Sequence, residues 1–136
     1  MPKVEDYQYL PIETVHLEWT AKPNHPGIGP KRISQEVQLG LDLAIHPNQS
    51  GRIIFNYPGY RGAMDGYMDK HKKLAWYMQG ENLGAVVRCK GPGCEDFAGF
   101  SDDVQFRMMI QYSLDHAEAI SGTRGPELLM IGTSAG

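Results

Sequence analysis

Three short apolar runs set the limits on how this chain can fold. Ile53-Ile54-Phe55-Asn56-Tyr57, Ala85-Val86-Val87 and Leu128-Leu129-Met130-Ile131 are rich in strand formers and do not alternate apolar with polar residues. A strand with one solvated face alternates with a period of two, whereas an unbroken run belongs to a strand buried on both faces under helices. The segments between the runs carry helical spacing instead. Over residues 67–79, Tyr67, His71, Leu74 and Met78 recur on one face with Ala75 beside them. Asp65 stands where a cap is expected, and Gly80 and Gly84 punctuate the end. Over 102–121, Ser101 is placed as N-cap and Asp102 and Asp103 lie in the first turn, where the helix dipole favours negative charge. Phe106, Met109, Ile110, Leu114, Ala117 and Ile120 then form a stripe that Gly122 ends. Strands alternating with helices of this length imply right-handed crossovers and parallel pairing.

The first 50 residues read differently. Residues 12–20 alternate, and Val37, Leu39, Leu41, Leu43 and Ile45 give the cleanest period-two signal in the chain. Pro23, Pro26, Gly27, Gly29 and Pro30 mark a loop between these strands, and residues 46–51 form a turn after them. The two strands are expected as an antiparallel extension of the later sheet. The fold class expected is α/β, a mostly parallel sheet with flanking helices. It forms one domain over 1–136, divided into N-terminal strands (1–50) and a β-α-β-α-β unit (51–136).

Composition narrows the function. Apolar residues make up 41% of the chain, enough for a core. Thirteen basic residues against 16 acidic give a net charge of −3, so no nucleic-acid partner is expected, because phosphate contacts need clustered Lys and Arg. No apolar run approaches the roughly 18 residues of a spanning helix, and Met-Pro-Lys-Val-Glu-Asp carries no signal-peptide stretch. No membrane association and a cytoplasmic location are therefore expected. Cys89 and Cys94 flank Lys-Gly-Pro-Gly and read as reduced thiols in or beside a loop, with a disulfide or redox pair as the alternative. A metal needs about four ligands at suitable spacing. The histidines at 16, 25, 46, 71 and 116 are scattered, so neither metal nor cofactor is expected.

Gly132-Thr133-Ser134-Ala135-Gly136 fits G-x-S-x-G. About 0.1 such matches arise by chance in a chain of this composition, and the setting is what gives this one weight. It follows a strand directly, where a sharp turn into a helix would lift the serine to its apex, and the small neighbours Gly132, Ala135 and Gly136 suit that turn.

Over residues 35–136 the chain resembles the N-terminal part of the α/β-hydrolase superfamily, ending at the nucleophile elbow. The strand Ile53–Tyr57 and Pro58-Gly59-Tyr60 are similar to that family's strand and His-Gly-x oxyanion loop, with Pro58 in place of the usual His. Lys90-Gly91-Pro92-Gly93 is similar to the Arg-Gly-x-Gly turn after the next strand, although Arg88 or Cys89 stands where an acidic residue is common. The resemblance implies a serine hydrolase with Ser134 as nucleophile. The backbone N–H groups of Tyr60 and Ala135 would form the oxyanion hole, and the substrate would be a small-molecule ester, thioester or amide. In that family the acid and then the histidine follow the serine, so both are expected after Gly136, and His71 and His116, read as mid-helix, are not expected to replace them. The chain is accordingly expected to be an incomplete hydrolase domain with a bare sheet edge, prone to aggregate and without ester turnover alone. Two other readings are a patatin-like Ser–Asp acyl hydrolase, suggested by Gly-Thr-Ser-Ala-Gly and by Pro58–Gly62, and a non-catalytic interaction module. The oligomeric state is left open.

Overall fold

The structure, a computed structural model, describes residues 3–21, 37–58, 63–90 and 102–132. Among them are the strands β1 (Glu13–Ala21), β2 (Val37–His46), β3 (Arg52–Tyr57), β4 (Ala85–Cys89) and β5 (Glu127–Gly132), and the helices α1 (Lys70–Gly80), α2 (Asp102–Asp115) and α3 (Ala117–Ser121). The strands form one sheet in the order β1-β2-β4-β3-β5. β1 with β2 and β2 with β4 are antiparallel; β4 with β3 and β3 with β5 are parallel.

The sheet is therefore mixed, which corrects the expected mostly parallel sheet with flanking helices; three short helices accompany it. The cause is β2, which runs against its neighbours on both sides. Only residues 47–51 join β2 to β3. A parallel connection needs a dozen or more residues, so β3 has to return in the opposite direction. The link spans two strand spacings, about 10 Å, and β4 fills the space between from later in the chain.

Strand alternation divides the core into two layers. Leu41, Leu43 and Ile45 of β2, Ile53 and Phe55 of β3, and Ala85, Val87 and Cys89 of β4 pack with Met109 of α2 and Ala117 and Ile120 of α3. On the opposite face Ile54 and Val86 pack with Ala75 and Met78 of α1. The N-terminal lead-in is tied to α1 by hydrogen bonds from Tyr7 Oη to Glu81, from Trp76 Nε1 to the Leu10 carbonyl (3.2 Å) and from Gln79 Nε2 to the Pro11 carbonyl (3.0 Å).

Three local expectations are corrected. The run Leu128–Ile131 forms β5 but is not a buried strand. It lies at the sheet edge, with Leu128, Leu129 and Met130 between 42% and 49% exposed. The buried face of α1 is His71, Ala75, Met78 and Gln79, while Tyr67 and Leu74 are exposed. The reason is a 3-10 turn over Tyr67–Asp69 with Met68 (φ 51) and Asp69 (φ 61) in the left-handed region, which removes Tyr67 from the helical register. The expected helix 102–121 breaks at His116, and its buried line is Gln105, Met109, Ser113, Ala117 and Ile120, with Leu114 exposed. Gly122 ends α3 in the left-handed conformation (φ 85), and its N–H bonds the Glu118 carbonyl at 2.9 Å. Ser101 lies outside the described residues.

Burial predicts a large contrast between two apolar truncations. Phe55→Ala, at a position 2% exposed, is expected to lower stability by about 3–5 kcal/mol. Leu129→Ala on the exposed edge should cost below about 1 kcal/mol. Urea unfolding midpoints of the two variants check this.

Candidate functional site

Parallel pairing turns the carboxyl ends of β3, β4 and β5 to one edge of the sheet. From β3 the chain passes through α1 to β4 on one side; from β4 it passes through α2 and α3 to β5 on the other side of β3. Open sheets bind ligands outside the carboxyl ends of their strands at such a reversal of order. The last rung of the β3–β5 ladder pairs Tyr57 with Gly132. The two segments that follow, one beginning Pro58-Gly59-Tyr60 and the other Thr133-Ser134-Ala135, thus depart from adjacent points on the sheet. Tyr60, Ser134 and Ala135 themselves lie outside the described residues, as do Cys94 and His25. The structure brings the two strand ends together and describes none of the three proposed site residues.

Beneath this edge, on the α1 face, lies a buried polar cluster that sequence reasoning missed. Arg88 of β4 is 2% exposed. Its Nε donates to His46 Nε2 at 3.0 Å, and its Nη1 donates to the Met64 carbonyl at 3.0 Å and to Asp65 Oδ1 at 2.8 Å. Because His46 accepts at Nε2, its proton is on Nδ1, which faces Gln79 Oε1 at 3.3 Å. Gln79 Nε2 in turn donates to the Pro11 and Pro47 carbonyls. Burial, and next the Arg88 charge, push His46 down to about 4 against the opposing hydrogen bond from Gln79. Asn56, paired with Arg88 across the β3–β4 ladder, sets its Nδ2 3.2 Å from His71 Nδ1. Its Oδ1 is buried without a hydrogen-bond partner among the described residues. Burial, then Lys70 and Arg88, lower the pKa of His71.

Asp65 does not cap α1 with its side chain. Its carboxylate pairs with Arg88, while its carbonyl accepts the N–H groups of His71 (2.9 Å) and Lys72 (3.3 Å). Gly66 makes the fit possible: it has φ 77, and a Cβ there would lie 2.6 Å from His71 Cδ2. The available sequence signal was a single polar residue in or beside an apolar run: Asn56 within 53–57, Arg88 after 85–87 and His46 ending the alternating strand.

The other histidines stand elsewhere. His16 is exposed on β1, 2.7 Å from Asp42. β1 and β5 are the outer strands of the order, and four strand spacings separate them by about 19 Å. His116 is not mid-helix but between α2 and α3, stacked on Tyr112. The nearby Ile120 carbonyl accepts from Asn48, at the amino end of β3, opposite the site. Cys89 is buried, with Gln105 Nε2 3.5 Å from its sulfur. An apolar groove of about 730 Å³ between β1 and α2, walled by Trp19, Phe106, Ile110 and Tyr112, lies at the sheet edge away from β5. Among the described residues no three His, Cys, Asp or Glu side chains converge to hold a metal, and no helix is long and apolar enough to cross a membrane.

Comparison with known proteins finds no matching family model, no matching curated protein and no matching solved structure.

The cluster predicts acid sensitivity. The unfolded chain takes up a proton on His46 near the ordinary value of 6.5, whereas the folded protein resists it down to about 4. The unfolded state therefore binds more protons in that window. The stability contribution is complete above pH 6.5 and is lost progressively as pH falls to about 4, by at most about 3 kcal/mol. Unfolding midpoints between pH 7 and 4 should show the loss, and His46→Gln, which keeps an acceptor without titrating, should show less of it.

Proposed function

We propose that this chain carries the nucleophile-bearing part of a serine acyl hydrolase of the α/β-hydrolase superfamily. The observation that supports the reading is the pairing of Tyr57 with Gly132 at the reversal of strand order. The proposed oxyanion loop and the proposed nucleophile segment start from that pair. Ser134 Oγ attacks the carbonyl carbon of a small-molecule ester, thioester or amide. The carbonyl oxygen gains negative charge, and the N–H groups of Ala135 and Tyr60 donate to it. One such donor is worth about 3 kcal/mol of transition-state stabilisation. The serine proton passes to a histidine held by a carboxylate, and this reading places both residues after Gly136.

The described histidines do not suit that role. His16 is four strands away, His116 lies toward the opposite end of the strands, and His46 already accepts from Arg88. His71 comes nearest the carboxyl end of β3, but its Nδ1 faces Asn56 and only 8% of the residue is exposed. Residence in the cytoplasm belongs to the same proposal.

A fluorophosphonate probe tests the reading, since covalent labelling requires an activated serine. The product of the complete reading frame is expected to label at Ser134, and Ser134→Ala is expected to abolish labelling while lowering the free energy of unfolding by no more than about 1 kcal/mol. A folded product that leaves the probe unreacted overturns the proposal in favour of a non-catalytic interaction module.

A further inference from the structure

We propose that His46 and Arg88 form a proton-sensitive latch: protonation of His46 frees the Met64–Asp65 turn and the start of α1 while the sheet stays closed. The neutral ring serves a neighbour on each side. Its Nε2 accepts from Arg88 Nε at 3.0 Å, and its Nδ1 faces Gln79 Oε1 at 3.3 Å. A further proton can go only to Nε2, and an imidazolium has no lone pair with which to accept. Two N–H groups would then face each other across the present bond. The charge balance changes with it. While His46 is neutral, Arg88 and Asp65 offset one another at 2.8 Å. With His46 charged, two cations share that carboxylate in a site where Arg88 is 2% exposed, and a buried charge without compensation is unfavourable. Lys72 of α1 adds to the positive field at the ring and Asp65 opposes it, while the Trp76 ring and Gln79 are uncharged neighbours.

The least secured partner gives way. His46 and Arg88 sit in ladders, His46 opposite Val86 and Arg88 opposite Asn56. The turn lies outside the strands, and its Asp65 side chain is 45% exposed. The layer behind it is thin: α1 contributes Ala75 and Met78 to a small cluster with Ile54 and Val86, whereas the opposite face carries the larger one with α2 and α3. Release is also directional. The Asp65 carbonyl accepts the N–H groups of His71 and Lys72, so the first turn of α1 loosens with the Met64–Asp65 turn. The far end of the helix keeps its ties, because Nδ1 of the charged ring still faces Gln79, whose Nε2 holds the Pro11 and Pro47 carbonyls. Burial and the Arg88 charge keep the ring neutral down to about 4. A ring freed from Arg88 takes its proton more readily. The closed form is therefore favoured near neutrality and loses its advantage as pH falls from the ordinary value toward that lower one.

The test reads amide exchange and the imidazole nitrogen shifts of His46 on the product of the complete reading frame between pH 7 and 4.5. His46→Gln, His71→Gln and Arg88→Met are measured beside the wild type. In the wild type, protection at Asp69, His71 and Lys72 is expected to fall at least about tenfold over that range, in step with the titration of His46, and to stay below that of the β3 and β4 amides. The Leu83 N–H, bonded to the Met78 carbonyl at the far end of α1, should keep more protection than the turn. His46→Gln retains an acceptor for Arg88 and should hold the turn closed across the range, whereas Arg88→Met should leave it open already at pH 7. His71 is a second titratable group in the first turn of α1, with Nδ1 3.2 Å from Asn56 Nδ2, and His71→Gln should keep the wild-type pH dependence. Three results overturn the latch: a turn that opens only together with β4, protection at the turn that does not change with pH, or a pH dependence that survives in folded His46→Gln. Should no variant fold, the wild-type comparison of the turn with β4 decides. None of these outcomes bears on fluorophosphonate labelling, so the latch and the hydrolase reading stand or fall separately.

Discussion

Burial of β4 is the constraint on which the rest of the structure depends. It is enclosed edgewise by β2 and β3 and covered on both faces, so that each residue from Ala85 to Cys89 is at most 2% exposed. β2 and β3 are consecutive in the chain but do not touch as neighbours, and the sheet closes only when β4 enters between them. Its ladders join residues far apart in sequence: Leu43 to Cys89 on one side and Ile53 to Ala85 on the other. Closing those loops costs chain entropy before contact is gained, and the apolar residues of the strand offset that cost with burial on two faces. A charged residue in such a strand is the exception that needs explaining. Arg88 is tolerated because its acceptors are assembled by the same insertion: His46 arrives with β2, and Asp65 with the crossover that leads to β4.

Much of the element pattern was legible in the residues, and its failures have particular causes. The runs at 53–57, 85–87 and 128–131 all became strands; β-branched and aromatic residues favour this in the first two, and in the third the run is too short for a helix of its own and pairs with β3. Burial did not follow equally. Leu128–Ile131 has the composition of an inner strand but occupies the edge, and no local pattern distinguishes the two, since neighbours in the sheet are set by topology. The mixed character of the sheet was present in a short link: the few residues between His46 and Arg52 exclude a crossover. Helix faces were read less well. A stripe through Tyr67 and Leu74 assumes that the helix begins before Tyr67, whereas left-handed Met68 and Asp69 delay it.

Legibility at the site divides along the same line. The motif Gly132–Gly136 is recognisable as a pattern because its residues are contiguous. The buried polar cluster is not, because Asn56 meets Arg88 through strand register, His46 meets Arg88 across a second ladder, and Gln79 reaches His46 from a helix. Each of these residues looks like a minor irregularity in its own segment. Only their convergence turns four irregularities into a polar network whose members constrain one another's protonation. Arg88 fixes the tautomer of His46, and together with burial its charge keeps that ring neutral.

The strand that carries the motif is also the least enclosed. Leu128 and Met130 point to one face of β5 and Leu129 to the other, and all are exposed, so cover is thin on both sides. Among the described residues β5 is held by its ladder to β3 and by the Glu127 N–H to the Gly51 carbonyl at 3.0 Å. An edge held by one ladder derives its placement from the inner strand it pairs with. The position of Gly132 is therefore fixed by β3, that of β3 by β4, and the Met64–Asp65 turn by Arg88 within β4. Precision at the carboxyl edge thus originates in the most buried strand and not in the segment that bears the proposed nucleophile. On this chain of dependence, a change deep in β4 disturbs the carboxyl edge of the sheet more than one on the exposed face of β5.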